Sequence, residues 1–486
     1  MRPLLTVLIL CSVASWGQAP QPFANSDWSL PPGYTGPTFS LSYHYPTTLP
    51  PPPGNGYPWT RALHGKPMSP DNALDYVQAL KNYVTPSMRK LLYDYANWDA
   101  DREKWYDLPW ISSMRDPIHG TYQGLQFDPT VFPLSQMTQS GMTTHVLVYY
   151  NDVAGYTLGR VWGNTALSPK LKYAQFPEGA VVIKVAMTTA LSDSWSPMEG
   201  SIQWCLYPPV LDANRNPTPP TQVMKVALMQ FDIIVKDSVA APKTGWVFTT
   251  LVYDKHAPGN DVWDKIIPMG ATWGNDPDIL SVYTPNAILQ ESILNPLTPL
   301  YATETLGYGG RLSGPNDGSI SQDNIVDGKY VARLRAVGCL GCHGSAQWPM
   351  KPPMMEPTLN PPDPHVDPMA TPTAFYRPGS KEWNQWFQDR PGNVPQNPQA
   401  GAVALDSKLK AVAMDYDMNM TIKALPAWWN WKKQQPSALV TDGLTDITLD
   451  ATNLLLSMPQ SFQDAISHPA SVGTNGRPLK PIAPKQ

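Results

Sequence analysis

The chain has 486 residues and a formal net charge of −4, and 15% of its residues are charged against a typical quarter. This charge gives no support for a nucleic-acid partner or a membrane-surface patch, which clusters of Lys and Arg would favour. The 55 prolines, about twice the average share, are typical of disorder, but 18 Trp and 22 Tyr indicate aromatic packing that disordered chains lack. We therefore expect a globular protein with long proline-rich loops and more than one domain.

Residues 1–19 have the layout of a secretory signal peptide. Arg2 precedes an apolar run from Leu4 to Val13, and small residues follow. The run is too short to span a bilayer, and no later segment reaches transmembrane length. We expect a cleaved leader and a mature protein that is periplasmic or secreted, with no transmembrane segment.

Residues 20–70 are rich in Pro, Gly, Ser and Tyr, which predicts an extended lead-in. A helix is expected next, because Ser69 and Pro70 form a start signal and apolar residues then recur at helical spacing. Pro86 is expected to end it, and a second short helix to run from Ser87 to Tyr95. The apolar residues at helical spacing are Tyr76, Val77, Leu80 and Val84.

A series of strands is predicted in the middle of the chain, where segments rich in Val, Ile, Tyr and Trp alternate with Pro, Gly and Asn. Because no helical crossover is evident between these segments, they predict an antiparallel sheet or sandwich. We expect them within a β-rich domain at residues 71–320 that begins with the helix. The candidate strands are His145–Tyr150, Ala180–Met187, Ile202–Tyr207, Val223–Val235 and Trp246–Tyr253.

Residues 339 to 343 read Cys-Leu-Gly-Cys-His, and C-x-x-C-H is the attachment pattern of a c-type haem. Each thiol can form a thioether to the macrocycle, and the adjacent imidazole reaches the iron as its proximal ligand. A zinc half-site is disfavoured, because a structural zinc site needs four ligands and only Cys205 remains outside the leader. A thioredoxin-like redox pair would not require His343. Cys205 itself is expected to be a small buried core residue.

The residues around this motif resemble those of c-type cytochromes. Gly328-Lys329-Tyr330 and Leu334 precede the motif and Gly344 follows it, as in the helix that leads into the motif of those proteins. The resemblance implies one covalent haem c held by Cys339 and Cys342, with His343 on the iron.

By this resemblance, residues 321–468 form a cytochrome c-like haem-binding region, mostly helical and irregular. Residues 469–486 are expected to form a flexible tail. The helices expected in the haem-binding region are Ile325 to Ala336, Asp406 to Leu425 and Asp446 to Met458.

The sequence leaves the distal ligand of the iron open. A methionine opposite the histidine suits electron transfer, whereas an open sixth position admits a small ligand. Met414, Met418 and Met420 lie in a predicted helix, where core packing explains them better. The candidates are Met350, Met354, Met355, Met369, Met418, Met458 and His365, or an open position.

Two further segments are similar in order to the β-rich monohaem cytochromes of the c-prime-beta and hydroxylamine-oxidising kinds. These segments run from Phe176 to Lys184 and from Gly245 to Phe248, ahead of the C-x-x-C-H motif. Because the haem of the hydroxylamine-oxidising proteins carries a lysine cross-link, the resemblance draws attention to Lys184. An exposed strand lysine is the simpler explanation of that residue.

The sequence thus predicts an α+β protein in which an antiparallel β-rich region precedes the haem-binding region. We expect an exported monohaem c-type cytochrome that transfers single electrons to or from a redox partner protein. The alternative is a haem enzyme or a binder of peroxide, nitric oxide or hydroxylamine, with an open distal site walled by the β-rich domain. The sequence does not decide between carrier and enzyme.

Overall fold

The fold is known from a computed structural model. The residues that the structure describes are 21–127, 137, 141–212, 216–276, 289–305, 325–326, 329–330, 339–344, 346–348, 389 and 412–435. The predicted leader, the predicted tail and the helix expected from Asp446 to Met458 lie outside these ranges.

A large antiparallel sheet forms the centre of the fold. Its strands are β1 Tyr122–Phe127, β2 Met142–Tyr150, β3 Val181–Thr188, β4 Gln203–Leu206, β7 Met224–Lys236, β8 Trp246–Tyr253, β9 Ile266–Thr272 and β10 Ser292–Leu294. The eight strands are ordered β1-β2-β3-β7-β8-β9-β10, and β4 also pairs with β7. Each two-residue strand outside the sheet pairs with another: β5 Val210–Leu211 with β6 Pro217–Thr218, β11 Ile325–Val326 with β12 Lys329–Tyr330, and β13 Gln347–Trp348 with β14 Val412–Ala413.

Helices cover both faces of the sheet. The α-helices are α1 Pro58–Ala62, α2 Ala73–Tyr93, α3 Ala100–Glu103, α4 Asp152–Trp162, α5 Leu300–Thr305, α6 Cys339–His343 and α7 Leu425–Lys433. A π-helical turn, Met420–Ala424, leads directly into α7. The 3₁₀ turns are Tyr95–Asn97, Ser112–Met114, Leu171–Tyr173 and Ser196–Met198. Within the described ranges, no helix combines the length and the apolar character needed to cross a membrane.

The two sheet faces belong to two apolar clusters, because successive strand residues point to opposite sides. On one face, here called the helix face, Ile183 and Leu251 pack with α2 residues such as Leu80. On the other, here called the site face, Val182 and Phe248 pack with α4, α6 and the segment from Met414 to Trp428. The site face therefore carries the C-x-x-C-H motif.

All five predicted strands are confirmed, and so is the antiparallel pairing of the sheet. Trp246–Tyr253 has the predicted bounds and is buried along its whole length. The helix α4, between β2 and β3, was not predicted. Its two glycines weaken the helical signal, but Gly155 and Gly159 lie against Tyr106 and Tyr45, where side chains would clash.

The prediction that Pro86 ends a helix is wrong, since α2 continues through Pro86 to Tyr93. A proline inside a helix removes one hydrogen bond and costs about 3 kcal/mol. The apolar stripe nevertheless continues beyond it through the fully buried Met88 and Leu91. Each such side chain contributes roughly 1.5–3 kcal/mol when buried, which offsets the cost.

Two helices expected around the haem motif are also corrected. Ile325–Val326 pairs as a strand with Lys329–Tyr330, around an Asp-Gly dipeptide that is typical of hairpin turns. The helix expected from Asp406 to Leu425 is interrupted by β14 and by Asp415 and Tyr416, whose φ angles are +46° and +69°. Tertiary contacts of these two residues, described below, hold them out of a helix.

Candidate haem site

The C-x-x-C-H motif forms the one-turn helix α6 on the site face. Leu340 is fully buried in the site-face cluster, and Cys339 is partly buried where the two clusters meet. The structure therefore places Cys339 and Leu340 of the motif against the sheet.

His343 is oriented by the carbonyl of Tyr416. Its Nδ1 lies 2.8 Å from this oxygen, and its ring lies 4.6 Å from that of Phe248 in β8. Because a carbonyl only accepts hydrogen bonds, Nδ1 carries the proton and donates it, which leaves the lone pair on Nε2. This arrangement is typical of iron- and zinc-binding histidines, whose second nitrogen is fixed by an outer partner.

The imidazole of His343 is neutral at physiological pH, as ligation of a metal requires. Burial lowers the pKa of His343 to about 4, and the Tyr416 carbonyl only partly opposes this. The positive charge of Lys184 lowers the pKa further. The sheet thus keeps the ring in its ligating form.

Asp415 anchors the turn that presents the Tyr416 carbonyl. Its carboxylate accepts hydrogen bonds from Phe176 N at 2.7 Å, Trp246 Nε1 at 2.8 Å and Lys236 Nζ at 2.9 Å. Left-handed backbone at two successive non-glycine residues costs of order 1–3 kcal/mol each, and it persists only where the surroundings fix it. These three bonds to the sheet and to the loop before β3 fix it here.

Lys184 lies on the site face beside the motif. It is paired in register with Asp232, and its Nζ lies 2.5 Å from Asp232 Oδ2. Although burial opposes the charge, the carboxylate raises the pKa of Lys184, and Cys339 acts in the same direction. The side chain is 32% exposed, so the simpler expectation of an exposed strand lysine does not describe it.

Asp232 is the centre of a small polar network on the site face. Besides Lys184, it accepts hydrogen bonds from Thr250 Oγ1 at 2.9 Å and Gln230 Nε2 at 2.8 Å. A buried carboxylate is stable only when donors of this kind satisfy it. The network fixes the position of Lys184 next to the motif.

Only one predicted distal candidate lies within the described residues. Met418 is buried in the site-face cluster together with Met414 and Met420, as core packing predicts. Its N donates to the same Tyr416 carbonyl, at 3.1 Å, that receives the bond from His343. The candidates outside the described residues are Met350, Met354, Met355, Met369, Met458 and His365.

The described residues fit a haem c. A histidine with a fixed Nδ1, an adjacent cysteine position and an apolar wall of Phe248 and Leu340 are the groups that a covalent haem requires. Within the described ranges, no group of three or more His, Cys, Asp or Glu side chains could hold a metal ion. Haem iron needs only one or two protein ligands because the macrocycle supplies the others.

Sequence reasoning missed the residues that support His343. Tyr416 acts through its backbone, which no motif records, and Asp415 was assigned to a helix. The expectation for Cys205 is wrong, since the alternation of β4 turns Trp204 inward and Cys205 to solvent. His119 is buried and stacks on Trp204 with a ring separation of 4.5 Å.

No protein-family model, curated protein or solved structure matches this chain.

Proposed function

We propose that this chain is an exported c-type cytochrome that holds one covalent haem and transfers single electrons. The observation that carries the proposal is the orientation of His343 within the C-x-x-C-H motif. Its Nδ1 is hydrogen-bonded to the Tyr416 carbonyl at 2.8 Å, which leaves Nε2 to ligate the iron. A structural histidine needs no such neighbouring pair of cysteines. A redox partner protein is expected to exchange the electron.

Cys339 and Cys342 would hold the haem through thioethers, and His343 would ligate its iron. The bound haem supplies a one-electron iron couple whose potential follows its ligands and surroundings. The Tyr416 carbonyl makes the imidazole a stronger donor, which favours oxidised iron and lowers the potential. Phe248 and Leu340 exclude water from the proximal side. This raises the reduction potential, because an apolar site disfavours the extra positive charge of the oxidised iron.

A ligand-binding or catalytic haem protein is the second candidate, and the Lys184–Asp232 pair favours it. Buried ion pairs rarely add stability, so stability does not account for this pair. An electron carrier also has no need of an ion pair beside its haem motif. The resemblance to the lysine-cross-linked cytochromes gives Lys184 a specific role. Asp232 could take the proton that the Lys184 ammonium must lose before its nitrogen forms a bond.

The test of the main proposal is covalent haem staining of the denatured, natively produced protein. The wild type should stain, Cys339→Ala and Cys342→Ala together should abolish the stain, and Cys205→Ala should keep it. Cys205 is a matched control because it is exposed on β4 and outside the motif. An unstained wild type, or a stain that survives the double substitution, would overturn the proposal.

Absorption spectra separate the two candidates. A six-coordinate protein that does not bind carbon monoxide when reduced would support the carrier, and rapid binding would support the ligand-binding protein. Lys184→Arg keeps the charge opposite Asp232 but cannot reproduce an amine cross-link. A spectrum unchanged by Lys184→Arg would remove the cross-link from the second candidate.

A further inference from the structure

A continuous series of aromatic rings crosses the site face from His343 to Tyr150. The ring centroids are separated by 4.6 Å from His343 to Phe248, 6.2 Å to Tyr416, 6.3 Å to Trp246, 5.7 Å to Phe176 and 6.4 Å to Tyr150. Each step lies within the range of direct aromatic packing. We call this series the aromatic ladder.

The ladder ends at a buried phenol bonded to a carboxylate. The Tyr150 hydroxyl lies 3.1 Å from Asp417 Oδ1 and 3.0 Å from Oδ2, and both residues are buried. Asp417 is held in place by the backbone N–H of Met420, which donates to Oδ1 at 2.9 Å. Tyr150 is therefore within the 2.6–3.2 Å reach, approximately, at which a fixed base can accept a proton.

This arrangement makes Tyr150 easier to oxidise than an isolated tyrosine. Loss of one electron makes a phenol strongly acidic, so oxidation is favourable only where a base can receive the proton at once. Both carboxylate oxygens of Asp417 lie within hydrogen-bond distance of the Tyr150 hydroxyl, so a base is already in place to receive the proton. Because the pair is buried, the proton passes within an existing hydrogen bond and needs no water.

We propose that Tyr150 is a redox-active tyrosine that exchanges one electron with the His343 site along the aromatic ladder, with Asp417 as its proton acceptor. On oxidation the Tyr150 O–H bond breaks, the electron leaves along the ladder, and the proton forms an O–H bond on Asp417. On reduction both return. The inference rests on the proposed haem function.

Two other buried tyrosines provide matched controls. Tyr149 adjoins Tyr150 in β2 but faces the helix face, and its hydroxyl donates to the Ser40 carbonyl at 3.1 Å. Tyr76 does donate to a carboxylate, Asp237 Oδ2 at 2.9 Å, but it also belongs to the helix-face cluster. Tyr149 therefore tests whether any buried tyrosine of β2 gives the radical. Tyr76 tests whether a carboxylate partner is sufficient for a tyrosine outside the aromatic ladder.

The experiment adds an equimolar amount of hexachloroiridate(IV) to the natively produced, ferric, full-length protein and records electron paramagnetic resonance after rapid freezing. This outer-sphere oxidant accepts one electron and needs no open coordination position on the iron. Tyr150 supplies the electron, and its proton moves to Asp417. Haem content is measured separately on each sample by its pyridine haemochrome spectrum.

The wild type should show a tyrosyl radical. Tyr150→Phe should remove it at unchanged haem content, and Asp417→Asn should lower its yield. Tyr149→Phe and Tyr76→Phe should leave it in place. A haem-loaded wild type without a tyrosyl radical, or an unchanged radical in Tyr150→Phe, would overturn this inference alone. Absence of covalent haem would overturn the proposed function and the inference with it.

Discussion

Lys236 Nζ lies 2.9 Å from Asp415 Oδ1, and the two side chains are 4% and 0% exposed. Lys236 ends β7, whereas Asp415 belongs to the turn that presents the Tyr416 carbonyl to His343. This buried ion pair joins the sheet to the support of the candidate ligand.

Removal of one partner of the pair should be costly. Asp415→Ala leaves the Lys236 charge buried and uncompensated, so the free energy of unfolding should fall by about 3–5 kcal/mol. Glu199→Ala, which breaks the more exposed pair with Lys255, should change it by less than about 1 kcal/mol. Urea unfolding measures both, and equal effects would show that the buried pair has no special role.

The stability of the fold should depend on pH through His145. Burial lowers the pKa of this β2 histidine to about 4. Below pH 6.5 it therefore binds a proton more readily in the unfolded chain than in the folded protein. Stability contributed by the neutral ring is present above pH 6.5 and is lost as the pH falls towards 4. Between pH 7 and pH 5 the wild type should lose about 2 kcal/mol relative to His145→Leu.

The matched control for His145 is His256, which is exposed. Urea unfolding of His256→Leu at the same two pH values should follow the wild type. A wild type and a His145→Leu variant with parallel pH profiles would contradict the burial argument.

Gly155 in α4 should resist substitution by a better helix former. Helix propensity alone predicts that Gly155→Ala gains up to about 1 kcal/mol. A Cβ at this position would meet Tyr106 Cδ2 at 2.5 Å, however, so overpacking should destabilise the protein by about 1–3 kcal/mol. Thermal unfolding gives the sign, and a stabilised variant would show that α4 does not pack as described.

Phe248 should support both the core and the candidate site. Phe248→Ala removes a buried ring that contacts His343, and the free energy of unfolding should fall by about 3–5 kcal/mol. The exposed Tyr93 is a control, since it lies at the end of α2 away from the motif. The absorption spectrum of the haem-loaded protein should shift in Phe248→Ala and not in Tyr93→Phe.

The strands could be predicted because their apolar residues are continuous and turn residues bound them. Trp246–Tyr253 is the clearest case, since every residue in it is buried and most are β-branched or aromatic. Helix α4 escaped prediction because Gly155 and Gly159 obscure its helical signal, and their packing against Tyr106 and Tyr45 is visible only in three dimensions. Pro86 was wrongly predicted to end α2 for the same reason, because the burial of the side chains that follow it outweighs the local cost of a proline inside a helix.

The candidate site could likewise be predicted only in part. The covalent motif could be identified from Cys339, Cys342 and His343, whose spacing follows directly from haem chemistry. The support of His343 could not, since it consists of a backbone oxygen 73 residues later in the chain. Lys184 was noted only through a resemblance, because its partner Asp232 comes from a different strand.

The most direct test of the account is the mass of the mature, natively produced protein and of its proteolytic peptide around residues 339–343. We expect the intact polypeptide to carry the added mass of a single haem, located on the peptide that contains Cys339 and Cys342. An intact protein with the mass of the bare polypeptide, or haem mass on a different peptide, would contradict it.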